Sequence, residues 1–296
     1  MYFHIEHNTE YTYPEAATES FSELRLRPRE SRRQLVSQHC TYIQPQVPVE
    51  SYFDYFGNYV ETISIPFRHT NLLVRSVSDV ETREWTDALS GLDLTISEAR
   101  QLYHPLRREL FDYLQPSHFI SWTPEVIELA QELLPPTALF AQSIHDLNNY
   151  IFENFRYESG VTNSRTTVAE FFEHQRGVCQ DFAHLMISVC RCAGIPARYI
   201  SGYIESEVIS NDENVPRDAA LIGNAASHAW VEVFTPNHHW VGMDPTNNIL
   251  EGERHVQIGI GRDYHDVPPL SGVFKGRKHQ VLNVQVRVVR TQVTPE

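Results

Sequence analysis

The chain has 296 residues, of which 41% are hydrophobic and 21% charged, and its 24 basic and 38 acidic side chains give a net charge of −14. This composition is typical of a folded protein long enough for two domains, and it excludes a wholly disordered chain. The acidic balance argues against nucleic acid or an anionic membrane as the main partner, because binding to either requires clustered lysine and arginine.

Cysteine content and apolar runs bear on the cellular compartment. Four cysteines in a chain of this length do not make a disulfide framework. No apolar run approaches the ~20 residues that cross a bilayer. The first residues, Met1–His7, lack the basic and apolar regions of a secretion signal. We therefore expect a cytoplasmic protein with reduced thiols and no membrane partner.

The first eighty or so residues are predicted to form short strands. Alternating runs rich in aromatic and β-branched residues cover Tyr2–Tyr13, Tyr59–Phe67 and Leu72–Val80. Asp54–Asn58 is a turn signal between two such runs. Several strands at short spacing, with turn residues between them, indicate an antiparallel sandwich over residues 1–82.

Helical spacing replaces this alternation after residue 82. Apolar residues recur at helical intervals in Thr95–Leu114, Pro124–Leu134 and Thr137–Phe155. Thr123, followed by a proline, is typical of a helix N-terminus. The middle of the chain is therefore expected to be mainly helical.

These patterns divide the remainder of the chain into three parts. Residues 83–122 are assigned to a helical connector, and residues 123–275 to a core in which strands return after the helices. The final segment, 276–296, contains the alternating run Val281–Arg290, which predicts a strand. We expect that strand to return to the N-terminal sheet.

The segment Gln175–Met186 contains the first chemically informative residue, Cys179. A glycine turn precedes this cysteine and apolar residues at helical spacing follow it, so it is predicted to lie within about one turn of a helix N-terminus. Free backbone N–H groups and the helix dipole stabilise a thiolate there. A buried structural cysteine is the alternative. Cys40, Cys190 and Cys192 are expected to pack as small hydrophobic side chains.

A predicted hairpin contains the second candidate group, His228 and Asp244. Its odd-numbered residues are apolar and should face a core, whereas both candidates are even-numbered. A hairpin centred near Pro236 would place them directly opposite each other, with Cβ atoms ~4.5–5.5 Å apart. The carboxylate could then accept a hydrogen bond from the imidazole and fix its tautomer. A register shift of one residue would separate them, and a purely structural hydrogen bond is at least as good an interpretation of the bare pattern.

Several segments together resemble the bacterial transglutaminase-like family, a group in the papain-like superfamily that includes cysteine proteases. The N-terminal segments resemble the β-rich region that often precedes the core of this family, and the later segments resemble its cysteine, histidine and aspartate motifs in the expected order. In chain order the segments are Leu24–Pro28, Asp54–Asn58, Arg176–His184, Ala193–Tyr199, Ser201–Tyr203, Ser227–Val233 and Asp244–Thr246.

This resemblance implies an α+β fold in which an N-terminal antiparallel β-sandwich precedes a papain-like core of helices packed on an antiparallel sheet. It also implies a Cys179–His228–Asp244 triad that acts on amide bonds through a thioester, either by hydrolysis of a peptide or isopeptide or by acyl transfer. The backbone N–H of Cys179 would stabilise the oxyanion. The expected partner is a peptide or protein amide substrate. The alternative is a non-enzymatic scaffold or binding protein that retains the core.

Other candidates rest on weaker patterns. Trp230 and Tyr157 are candidates for substrate contact, with cross-strand packing as the alternative for Trp230. The sequence has no convincing metal-ligand spacing and no phosphate-binding loop, so neither metal nor cofactor is expected. The acidic segment 205–226 is expected to be either a mobile flap beside the cleft or a surface insertion.

Overall fold

The structure, a computed structural model, describes residues 1–84, 89, 91–205, 207–208, 221–223, 227–277 and 279–291. The strands are β1 (Tyr2–Ala17), β2 (Glu19–Leu24), β3 (Gln34–Gln44), β4 (Val49–Phe53), β5 (Tyr59–Ile65), β6 (His69–Thr82), β7 (Arg156–Tyr157), β8 (Arg176–Gly177), β9 (Ala197–Ile204), β10 (Glu207–Val208), β11 (His228–Phe234), β12 (Trp240–Asp244), β13 (Ile249–Leu250), β14 (His255–Gly261), β15 (Leu270–Lys275) and β16 (Val281–Thr291). The α-helices are α1 (Ile96–Tyr103), α2 (Pro124–Leu133), α3 (Phe140–Asn154), α4 (Val168–His174) and α5 (Cys179–Cys192).

Two facing sheets form the N-terminal sandwich. One has the strand order β10–β16–β1–β6–β3 and the other has the order β15–β2–β5–β4. Alternate side chains of β1, β2 and β6 are buried over most of their length, as the period of two in the sequence predicts. The apolar residues buried between the sheets are Tyr13, Ala17, Leu24, Leu26, Ile63, Ile65, Leu72 and Val74. This packing confirms the predicted sandwich.

The sandwich takes two of its strands from the end of the chain. Strand β16 pairs antiparallel with β1, with Tyr2 opposite Thr291, which confirms the expected return of the last strand. Strand β15 pairs with β2, with Leu270 opposite Leu24. The end of the core that the sequence patterns placed at residue 275 therefore does not follow the sheet pairing. Residues 270–275 pair with the sandwich and not with the core sheet.

The core consists of helices packed on a third sheet, of order β13–β12–β11–β9–β14, whose neighbouring strands are antiparallel. Helix α5 packs against β11 and β9, and α2, α3 and α4 pack around it. Every residue from Cys179 to Arg191 is buried. A helix enclosed on all sides holds its first residue in a fixed position relative to the sheet.

The sandwich docks on the core along β14. The apolar part of this interface contains Phe3, Ile5, Val80 and Val288 from the sandwich with Tyr203, Val256 and Ile258 from the core. Its polar part includes Asn58, whose side-chain amide bonds both the N–H and the C=O of Ile260 at 2.8 Å. Gln34 likewise bonds the backbone N–H and C=O of Gln257, both at 2.8 Å. Strand β14 is therefore fixed by side chains of the N-terminal module.

Candidate active site

Cys179 is the first residue of α5, and its side chain is nearly buried. The turn before it is closed by Asp181, whose carboxylate accepts the N–H of Val178 at 2.8 Å and the hydroxyl of Thr162 at 2.7 Å. Burial raises the pKa of Asp181, and these two hydrogen bonds oppose that rise. The cysteine thus lies at the positive end of a rigid helix, where free N–H groups and the helix dipole favour an anion.

The hairpin of β11 and β12 places His228 and Asp244 on one face of the core sheet. Val231 pairs with Met243 and Phe234 with Trp240, so the hairpin is centred on Asn237. The prediction of a centre near Pro236 was wrong by one residue, because the turn contains His238 at a positive φ of 65°. This error shifts the pairing by two positions and preserves the face, so His228 lies diagonal to Asp244.

A hydrogen bond of 2.9 Å joins Nε2 of His228 to Oδ2 of Asp244, and both side chains are fully buried. Burial lowers the pKa of His228, but Asp244 and Cys179 outweigh burial and raise it to about 10. Burial would raise the pKa of Asp244, but His228 and His255 lower it well below its ordinary value. The pair therefore favours an imidazolium beside a carboxylate.

The other nitrogen of His228, Nδ1, is turned away from Asp244. It is buried and has no well-aligned hydrogen-bond partner in the described part of the chain. The Cys179 side chain is close enough to contribute to the raised pKa of the ring, through charge and hydrogen bonding. The three residues expected from the sequence to act together are thus brought together.

Asp244 receives several further hydrogen bonds that no sequence pattern indicated. Its Oδ1 accepts the backbone N–H of Thr246 at 3.0 Å and that of Asn247 at 3.2 Å. Its Oδ2 accepts the Asn247 side-chain amide at 2.7 Å, and Nε2 of His255 lies 3.3 Å away. The alternating apolar residues of the segment 255–261 could have indicated a strand, but not its contact with Asp244.

Tyr157 lies beside the cysteine. It pairs with Gly177 in the short parallel pair β7–β8, two residues before Cys179. Burial raises the pKa of Tyr157, and the charge of Cys179 raises it further. The half-buried phenol is therefore close enough to interact with the sulfur, which keeps it a candidate for substrate contact.

Trp230 is fully buried and faces other rings. It stacks on His228 with centroids 6.1 Å apart and meets His255 edge-on at 5.2 Å. Gly202 makes room for it, because a Cβ at that position would overlap the indole. These contacts match the packing alternative for Trp230 and leave it no exposed face for a substrate.

Other cysteines and a further histidine of α5 do not join this site. Burial raises the pKa of the Cys190 thiol to about 12, and it also raises that of Cys192. His184 accepts the backbone N–H of Tyr264, and burial lowers its pKa to about 3. Within the described ranges no group of three or more possible ligands could hold a metal ion. Most of the proposed flap at 205–226 lies outside the described residues.

Known families match two parts of the chain. Residues 3–81 match the bacterial transglutaminase-like N-terminal region, and residues 127–245 match the transglutaminase-like superfamily. The chain belongs to the transglutaminase-like superfamily. The second match includes Cys179, His228 and Asp244, and the first covers nearly all of the predicted N-terminal sandwich.

The chain is also similar to individual proteins and to a solved structure. The chain is 32% identical to an uncharacterized protein of Mycobacterium leprae, over 97% of this chain and 98% of that one. It is 31% identical to a protein-glutamine gamma-glutamyltransferase of Pseudomonas aeruginosa, over 41% of this chain and 17% of that one. The crystal structure of "a Putative Cysteine Protease from Cytophaga hutchinsonii" has the same fold, with a TM-score of 0.73 and 20% identity, over 100% of this chain and 93% of that one. In the part that the structure describes, no helix is long and apolar enough to cross a membrane.

Proposed function

We propose that this transglutaminase-like protein is an enzyme that acts on amide bonds through a thioester on Cys179. His228 is the acid and base, and Asp244 orients it. The observation that supports this assignment best is the bond from Nε2 of His228 to Asp244, which leaves Nδ1 for the sulfur at the start of α5. Nucleophile, base and orienting group are then in the order that covalent catalysis requires.

The proposed reaction begins with a thiolate at Cys179 and a proton on His228. The sulfur attacks the carbonyl carbon of the amide, and an electron pair moves to the oxygen to form a tetrahedral oxyanion. The backbone N–H of Cys179, at the helix start, donates to that oxygen. Collapse breaks the C–N bond, and Nδ1 of His228 gives its proton to the departing amine. A thioester remains on Cys179.

The second half of the reaction decides between a hydrolase and a transferase. Water, deprotonated by His228, would release a carboxylic acid, whereas an incoming amine would give a new amide. We favour hydrolysis of a peptide or isopeptide, because it needs only water, while transfer needs a site that excludes water and admits an amine. A peptide or protein is the proposed substrate. The cytoplasmic location expected from the sequence stays a prediction.

Alkylation by iodoacetamide at mildly acidic pH tests the nucleophile. Because His228 and the helix dipole favour the thiolate, we expect rapid modification of Cys179 while the other cysteines stay mostly unmodified, as read by peptide mass spectrometry. Cys40→Ser is the control variant and should keep the fast reaction, whereas Cys179→Ser should abolish it. Reaction at Cys179 no faster than at Cys40 would contradict the enzymatic assignment and favour a scaffold that retains the core.

A labelled primary amine supplied with a peptide library separates the two reaction types. Release of free acid, with no label in the products, is expected for a hydrolase. Label joined to the acyl part of the peptide would identify a transferase. Cys179→Ser serves as the blank for both readouts.

A further inference from the structure

His255 is a buried histidine that neither the sequence nor the mechanism above assigns. It is the first residue of β14, and its side chain is 1% exposed. The backbone N–H of Gly252 donates to its Nδ1 at 3.2 Å. A ring nitrogen that accepts a hydrogen bond does not hold a proton, so the proton of this imidazole is on Nε2. That nitrogen lies 3.3 Å from Oδ2 of Asp244.

Two imidazoles therefore share one carboxylate oxygen. Nε2 of His228 and Nε2 of His255 both lie within hydrogen-bond distance of Oδ2, and the two ring centroids are 6.4 Å apart. The indole of Trp230 packs against both rings and prevents His255 from turning away. A carboxylate held by fixed donors cannot rotate to present a different oxygen to His228.

We propose that His255 is a positioning residue of the active site, which donates Nε2–H to Asp244 and holds the carboxylate in the orientation that His228 needs. This role rests on the proposed function, and it makes His255 a fourth member of the site that acts through Asp244 without touching the substrate. Outer partners of this kind fix the tautomer and orientation of the groups that react.

Two amide variants separate the hydrogen bond from the packing. His255→Gln places an amide N–H near the position of Nε2 and keeps the donor to Asp244. His255→Asn has an oxygen near the position of Nδ1, so it keeps the contact with Gly252 but is too short to reach Asp244. Both replace the ring and lose its contact with the indole of Trp230. Gln keeps the hydrogen bond to Asp244 and loses the one from Gly252, whereas Asn does the reverse, so a rate recovered by Gln comes from the bond that the proposal requires.

The readouts are alkylation of Cys179 by iodoacetamide and steady-state hydrolysis of p-nitrophenyl acetate. We expect His255→Asn to lower kcat by about tenfold or more with little change in KM, because a hydrogen bond to a charged group is lost and no substrate contact is touched. Alkylation of Cys179 should slow in parallel. His255→Gln should recover most of both rates. Equal rates in the Asn and Gln variants would overturn the proposal.

Further measurements distinguish a failure of the proposed function from a failure of the role given to His255. If Cys179 is unreactive in the wild type, the proposed function is wrong. If Cys179 is reactive in the wild type and the Asn and Gln variants have equal rates, only the role of His255 is wrong. His7→Leu, which changes another buried histidine that bonds Tyr203 and Thr9, should leave both rates unchanged. The ¹⁵N spectrum of wild-type His255 should show the proton on Nε2. A proton on Nδ1 would overturn the proposal whether or not the variants fold.

Discussion

Gly177 has no room for a side chain, and it stands two residues before Cys179. A Cβ there would overlap Oδ2 of Asp181 and would lie 2.9 Å from the ring of Phe171. The Asp181 carboxylate, which caps the start of α5, therefore occupies the space that a side chain at position 177 would fill. This close approach explains why the glycine turn noticed in the sequence is needed, since the cap and the glycine depend on each other.

Gly177→Ala is expected to lower the free energy of unfolding by about 1–3 kcal/mol, as overpacking in a filled site does. Gly252→Ala is the matched control, because a Cβ at Gly252 has no atom within 4 Å. Its effect should stay within about 0.5 kcal/mol. Urea denaturation of the two variants beside the wild type measures both values. An equal loss in the two variants would show that the space around Gly177 does not matter.

At the scale of elements, the β11–β12 hairpin carries buried charged groups on one of its faces, among them the pair of His228 and Asp244. Its odd-numbered residues join the main core, while its other face holds His228 and Asp244. The two strands of the hairpin are thus amphipathic although both are largely buried. On the polar face, Asp244 receives hydrogen bonds from the loop after β12 and from β14. Such a pair gives the stability of the hairpin a dependence on pH.

That dependence is expected on the alkaline side. His228 titrates near 6.5 in the unfolded chain and near 10 in the folded one, so the folded state holds its proton more tightly. Its contribution to stability is complete below about pH 6.5 and is lost as the pH rises to about 10. The free energy of unfolding of the wild type, minus that of His228→Gln, should therefore shrink over this interval. A difference that stays constant with pH would refute the assignment of a raised pKa.

At the scale of the whole molecule, the sandwich supports the strand that carries His255. Asn58 supplies β14 with the hydrogen bonds that a neighbouring strand would otherwise make, and its own side chain is fully buried. Gln34 bonds the backbone of Gln257 in the same way, two residues after the start of β14. Docking through buried backbone groups makes the two parts interdependent, because separation would leave those groups without partners.

Asn58→Ala is expected to destabilise the whole protein by about 3 kcal/mol, because the N–H and C=O of Ile260 both lose their partner in a buried place. Asn71→Ala, at an exposed position of β6, should be nearly neutral. Thermal unfolding followed by both tryptophan fluorescence and far-ultraviolet circular dichroism should show one shared transition for each protein. Two separate transitions would contradict the interdependence of sandwich and core.

The sequence predicts features that depend on short-range periodicity and on motifs. The helix start at Cys179, the apolar face of the hairpin and the strand β16 all follow from the spacing of apolar residues. Features set by long-range pairing are not visible in that way. The centre of the hairpin depends on the backbone of His238, and the contact between His255 and Asp244 depends on how two non-adjacent strands and a loop meet.

The sheet pairings make the sandwich a discontinuous domain, with the core inserted between its halves. Tyr2 pairs with Thr291, so closing this sheet by itself would join segments separated by nearly the whole chain, at a high cost in loop entropy. A folded core shortens that loop, because Thr82 bonds the carbonyl of Glu253 at 2.6 Å and Arg25 bonds that of Pro269. During synthesis the edge of β1 that pairs with β16 stays open until β16 has been made. The sandwich comes first in the chain and is completed last.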